Sequence, residues 1–179
     1  MRDSAALKQA DVDAKSSAED VVRTFTESVA NGDHGDSPYP QWVLKKCFPD
    51  DTIKDILGLP FPAPSLDGVS GKRELHNATR RYFDVDNQKE FASVRAVAEA
   101  FQDKRITRMI EETFGTDLNG TYLRIEFAQD TDGFWLEPHT DLGVKSFTML
   151  MYLSDEDGHD KLGTDVYGAD KSHVTRSPF

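Results

Sequence analysis

The stretch EETFGTDLNGTYLRIEFAQ, residues 111–129, changes its periodicity halfway along. Up to Phe114, apolar residues recur every three or four positions, at Phe91, Val94, Val97, Phe101, Ile106, Met109, Ile110 and Phe114. That is the spacing of one helix face, and Gly115 offers a stop. Beyond Gly115, Leu123, Ile125 and Phe127 alternate with Tyr122, Arg124 and Glu126, which is the period of a strand. Helices first and strands afterwards read as α+β, a helical layer supporting a β-sandwich or barrel.

Upstream, residues 1–16 are polar and alanine-rich and suggest a frayed arm or a short loose helix. Ser17 with Asp20 makes a capping-box-like start, Val21, Val22, Phe25 and Val29 recur at helical spacing, and Gly32 can end the helix. NGDHGDSPYP (31–40) is loop by composition, QWVLKKCF (41–48) is a candidate first strand, and PDDTIKDILG (49–58) a short capped helix. LPFPAPSLDGVSGK (59–72) reads as an extended connector. The span from Asn87 to Phe114 fits one long helix or two short ones. Downstream, SFTMLMYL (146–153) is apolar enough for a strand covered on both faces, and TDVYG (164–168) is a third strand. At 179 residues the chain suits one domain over 1–179. Residues 1–115 would supply mainly helical support and early strands, and 116–179 the sheet.

A formal net charge of -11 argues against nucleic acid as a partner, because phosphate binding needs a basic footprint, and an anionic membrane surface is disfavoured likewise. The one cysteine, Cys47, has no internal partner for a disulfide and reads as a buried thiol. The N-terminus lacks a continuous apolar stretch and no spanning segment follows, so cytoplasmic residence is expected. In that setting the sequon Asn77-Ala78-Thr79 is a chance match.

Chemistry concentrates in EPHTDLG (137–143), at the mouth of the apolar run 146–153. On a strand, residues i and i+2 point the same way, so His139 and Asp141 can aim an imidazole and a carboxylate at one point. Two histidines and one carboxylate on one face of Fe(II) leave the opposite positions open, and His-x-Asp supplies two of those three ligands. An ordinary surface pair is the competing reading. Two other patterns fail. DTDG (130–133) would put Ala128 and His139 at the first and twelfth positions of a calcium loop, where acids are needed, and SGKRE (70–74) lacks the earlier glycine of a phosphate loop.

The segment LRIEFAQDTDGFWLEPHTDLGVKSFTMLMYLS, followed by LGTDVY, resembles the Fe(II)- and 2-oxoglutarate-dependent oxygenases, in particular their prolyl-4-hydroxylase-like branch. The features that carry it are Gly133, Pro138-His139-Thr140-Asp141, the run Thr148 to Leu153, and Gly163-Thr164, in that order, over about a quarter of the chain. The resemblance implies a double-stranded β-helix (jelly-roll) core braced by the N-terminal helices. It implies Fe(II) held by His139 and Asp141, 2-oxoglutarate as co-substrate beside Thr164, and O2 as oxidant. Asp141 further implies hydroxylation, since relatives that halogenate lack this carboxylate.

Two departures stand out. Asp130 falls where several relatives place a tyrosine that touches 2-oxoglutarate, so Arg124 becomes a candidate for that contact, with a surface arginine as its alternative. The family's second metal histidine and its 2-oxoglutarate-anchoring base lie on later strands, whereas this chain stops at VTRSPF and is expected to be incomplete at its C-terminal end. His159 and His173 are the nearest substitutes, neither in the expected strand context. The expected substrate is a small molecule or a peptidyl side chain, and the oligomeric state is open. RELHNATRRYF (73–83) is a basic stretch that suits either the pocket or a solvated helix end. A metal-dependent cupin and a non-catalytic jelly-roll binding module, in which His139 and Asp141 merely hydrogen-bond each other, are the alternatives.

Overall fold

The computed structural model describes residues 18–63, 81–130, 136–141, 143–154 and 157–178. Val21, Val22, Phe25 and Val29 form the buried stripe of helix α1, residues 18–30, as their spacing predicts; Ser17, the expected cap, lies outside the described residues. Helix α2 is Asp50–Leu57, with Asp50 and Asp51 in the first turn, where a carboxylate meets the positive end of the helix dipole. It buries Ile56 and Thr52.

The run expected as one or two helices is three, α3 (Val85–Glu90), α4 (Ala92–Gln102) and α5 (Lys104–Phe114). Two breaks explain this. Phe91 adopts an extended conformation, φ -116° and ψ 121°, between α3 and α4. Asp103 is extended too, and its carboxylate accepts the Arg105 amide at 2.8 Å, so it caps α5 instead of continuing α4. Asp84 caps α3 in the same way, accepting the Asp86 and Asn87 amides at 3.1 and 2.9 Å. Gly115 ends α5 in the left-handed region, φ 65°, where a side chain is disfavoured.

Helices α1, α2, α4 and α5 converge on one core. Phe25, Ile56, Val94, Val97 and Ile106 are fully buried there, and Phe101 meets Phe25 edge-on with ring centroids 5.0 Å apart. Arg105 ties α5 to the start of α1 through a two-pronged bond to Glu19, both arms 2.7 Å.

The strands are short and pair only in twos. β1 (Asp33–Gly35) lies antiparallel to β2 (Gln41–Val43), β3 (Arg81–Tyr82) to β4 (Glu126–Phe127), and β5 (Asp165–Tyr167) to β6 (His173–Arg176). The architecture is therefore α+β, with no closed barrel among the described residues. Five strand expectations change. The segment 31–40, read as loop, contains β1, because His34 stacks on Trp42 across the hairpin at 4.5 Å. β2 covers only the first three residues of 41–48, and only Glu126–Phe127 of 121–129 joins a ladder. His173–Arg176, which has no strand-like apolar pattern, is nonetheless β6. The run 146–153 makes no ladder among the described residues, although its burial still alternates over 146–151.

That alternation matters for the site. Phe147, Met149, Met151 and Leu153 pack against the helical core, and Phe147 stacks on Phe114 at 5.1 Å. Thr148 and Leu150 point the other way, and Leu150 is 61% exposed. The run is thus covered on one face rather than the expected two. Residues 73–80, including the sequon, lie outside the described residues, while Arg81 and Tyr82 form β3 instead of a helix end. Among the described residues no helix is long and apolar enough to cross a membrane.

Candidate functional site

An ionisable pair at the mouth of an apolar run is tolerable only if it stays wet or is paired. Here it stays wet: His139 and Asp141 are both exposed. The imidazole is fixed from behind. Its Nδ1 lies 2.8 Å from the Glu137 carbonyl oxygen, and because a carbonyl can only accept, Nδ1 carries the proton of that bond. A histidine anchored through one nitrogen with the other available is the arrangement that metal-binding imidazoles use.

Asp141 takes two partners. Lys145 Nζ lies 2.6 Å from its Oδ1, and the Thr148 hydroxyl donates to the same carboxylate. The Lys145 ammonium, then the Thr148 hydroxyl, hold the Asp141 carboxyl below the usual carboxylate range, partial burial opposing them and a neighbouring His139 adding to them. His139 and Asp141 are therefore close, yet among the described residues they do not hydrogen-bond each other.

Thr164 sits on the same outward face. Tyr152, two positions beyond Leu150, brings its hydroxyl to 2.5 Å from Thr164 Oγ1 and 3.1 Å from Ser177 Oγ. The Thr164 amide donates to Ser177 Oγ at 2.9 Å. Gly163 makes this approach possible, since a Cβ there would collide with the Ser177 carbonyl. Asp141 through Thr148, and Thr164 through Tyr152, are thus both tied to the side of the 147–153 run that faces away from the helices. Lys145, Thr148, Tyr152 and Ser177 escape a reading of the sequence. The period of two begun at Phe147 puts Thr148 and Tyr152 on one side, but treating both faces as covered hides the consequence.

Arg124 is exposed, on the approach to β4. Its neighbours Leu123 and Ile125 line a cleft of about 310 Å³ with Phe83, Val85 and Gln88, and none of the four candidate residues lines it. The substitutes for a second histidine are engaged elsewhere. His159 Nδ1 is 2.6 Å from Ser154 Oγ, and His173 Nε2 is 3.0 Å from Asp165 Oδ1. Arg176 grips the same Asp165 with two bonds of 2.7 and 2.9 Å, so Arg176 first and His173 second depress that carboxyl to about 2. Among the described residues, no three histidine, cysteine, aspartate or glutamate side chains gather as a metal site. His139 and Asp141 are of the donor types an iron centre uses, and both are exposed, two donors where three are needed. The turn holding Gly133 lies outside the described residues.

Cys47 is half-buried with its Sγ 3.5 Å from Ser28 Oγ, and burial pushes its thiol up. It plays no part in this face.

No protein-family model, no curated protein and no solved structure matches the chain.

Proposed function

We propose that the chain is an Fe(II)- and 2-oxoglutarate-dependent dioxygenase with a double-stranded β-helix (jelly-roll) core, hydroxylating a small molecule or a peptidyl side chain in the cytoplasm. The observation that carries the reading is the His139–Asp141 pair, both exposed, with Nδ1 of the imidazole tied to Glu137 and no partner for Nε2 among the described residues. The ordered motif around it, from Pro138-His139-Thr140-Asp141 to Gly163-Thr164, supports the same reading.

In this reading His139 Nε2 and one Asp141 oxygen would hold the metal. Iron, with 2-oxoglutarate and O2, would supply the oxidising power for a C–H bond, and the protein supplies position and shelter. The Glu137 carbonyl keeps the imidazole in the tautomer that leaves Nε2 free to bind. Thr148 orients the carboxylate from its other side. Thr164, with Tyr152 and Ser177 around it, offers hydroxyls to a carboxylate of the co-substrate, and Arg124 is a second donor for it. The retained Asp141 carboxylate favours hydroxylation over halogenation. The helical layer behind Phe147, Met149 and Met151 stiffens the run from which these groups project.

Anaerobic addition of Fe(II) and 2-oxoglutarate tests this. The expected result is a weak visible charge-transfer band while O2 is excluded and, once O2 is admitted, slow succinate formation without added substrate, both lost in His139→Ala and Asp141→Ala. An Asp141→Ala protein that keeps its iron undiminished sinks the proposal. Metal uptake with no response to 2-oxoglutarate would instead indicate cupin-type chemistry.

A further inference from the structure

A divalent cation and an ammonium compete for the same carboxylate lone pairs. Lys145 Nζ already sits on Asp141 Oδ1 at 2.6 Å, and the lysine side chain is the more withdrawn of the two, 29% exposed against 40% for the aspartate. Pairing two surface groups gains little, and holding a lysine stem in one rotamer costs entropy, so stability alone is a weak reason for this contact. Its position gives a better one. The contact occupies the carboxylate two positions from His139, and a dication bound between Nε2 and that carboxylate would meet the ammonium at close range, where like charges repel strongly.

We infer that Lys145 is a resident counter-cation of the metal site: it holds Asp141 while the site is empty and swings off the carboxylate when a divalent cation arrives. The inference rests on the proposed metal site and deepens it. The exchange neutralises Asp141 in both states, so the carboxylate stays ordered without metal, and the competition weakens metal binding. Because Lys145 is four residues beyond Asp141, across the turn at 143–144, its departure needs only side-chain rotation.

Mn(II), which is stable in air and has an electron-spin signal in its free form, serves as the probe with the full chain. Lys145→Met keeps the apolar stem and removes the charge; Lys145→Arg keeps the charge. Lys145→Met is expected to bind Mn(II) on the order of tenfold more tightly than the wild type, and Lys145→Arg no more tightly. A second readout uses the unaltered protein. Acetylation of Lys145 by a mild acylating reagent, followed by mass spectrometry, should speed up on Mn(II) saturation, because the freed amine leaves its carboxylate. In Asp141→Asn it should be fast with or without Mn(II). Mn(II) uptake by the wild type that Lys145→Met leaves unchanged or weakens overturns the inference alone, as does acetylation that slows or stays constant when Mn(II) binds. Absence of uptake by both proteins removes the metal site itself, and the inference with it.

Discussion

The helical region, residues 18–114, and the region after Gly115 are built on different economies of contact. The first buries Phe25, Ile56, Val94, Val97 and Ile106 in a core made almost wholly from its own residues. In the second, Val166 alone among the described hydrophobic residues is buried, and Tyr122, Val144, Leu150 and Leu162 are widely exposed. A helix satisfies its backbone internally and needs only one covered stripe. An extended segment needs a neighbour for its amides and a cover for each face. The run 147–153 finds a cover for one face against the helices and leaves the other to Thr148, Leu150 and Tyr152, where the candidate site lies. Burial and the candidate site are thus divided: the helices carry the first, and the second lies on the open face of the later region.

The sharpest way to break this division is a matched pair of truncations. Phe25→Ala should cost about 3–5 kcal/mol, the range for a buried aromatic lost from a packed core. Leu150→Ala should cost less than about 0.5 kcal/mol, as a surface change does. Urea unfolding followed by far-UV circular dichroism measures both, and equal losses would mean that the outward face is buried.

Next in size is Gly163→Ala. Its Cβ would run into the Ser177 carbonyl, so the approach of Thr164 to Ser177 must open, with an expected loss of about 1–3 kcal/mol for forced overpacking. The loss should be local. Amide exchange should quicken over 164–177 while α4 and α5 keep their protection, and a uniform change would show that the two regions unfold as one.

Gly115→Ala probes the boundary between them. Nothing crowds a Cβ at this position, so only the left-handed backbone resists, for about 1 kcal/mol. Calorimetry should find the midpoint lowered by a few degrees, and no change would contradict the conformation of the α5 terminus.

The smallest effect is an acid response of the β5–β6 hairpin. Asp165 is depressed to about 2 by Arg176 and His173, so its contribution is fully present above its unfolded value, about 3.9, and disappears as pH falls through about 2. His173 and Arg176 amides should lose protection between roughly pH 4 and pH 2, and Asp165→Asn should abolish that step. A hairpin that opens at the same pH in both proteins would remove Asp165 from the account.

Much of the helical half is legible in the sequence, because helix formation is local. The spacing of Val21, Val22, Phe25 and Val29 suffices to place α1 and its buried face, and Gly115 to end α5. The division of 87–114 is harder. Phe91 belongs to the apolar pattern yet breaks the helix, and Asp103 looks like an ordinary polar position until its carboxylate turns back to cap Arg105. The strands are less legible. His34 and Trp42 pair through a hairpin whose sequence reads as a loop, and β6 has no alternating apolar residues because salt links from Arg176 and His173 to Asp165 hold it.

For the site, the sequence by itself determined that an imidazole and a carboxylate stand two positions apart, in a stretch, 137–141, that joins no ladder among the described residues. It also determined that helices precede extended segments, through the change of period at Gly115. Only the tertiary structure decided that Glu137 holds the imidazole, that Lys145 and Thr148 occupy the carboxylate, and that Tyr152 reaches Thr164 and Ser177. Most of these contacts cross turns or join segments far apart in the chain, and a hydrogen bond depends on where two groups end up in space, which no local pattern of hydrophobicity records.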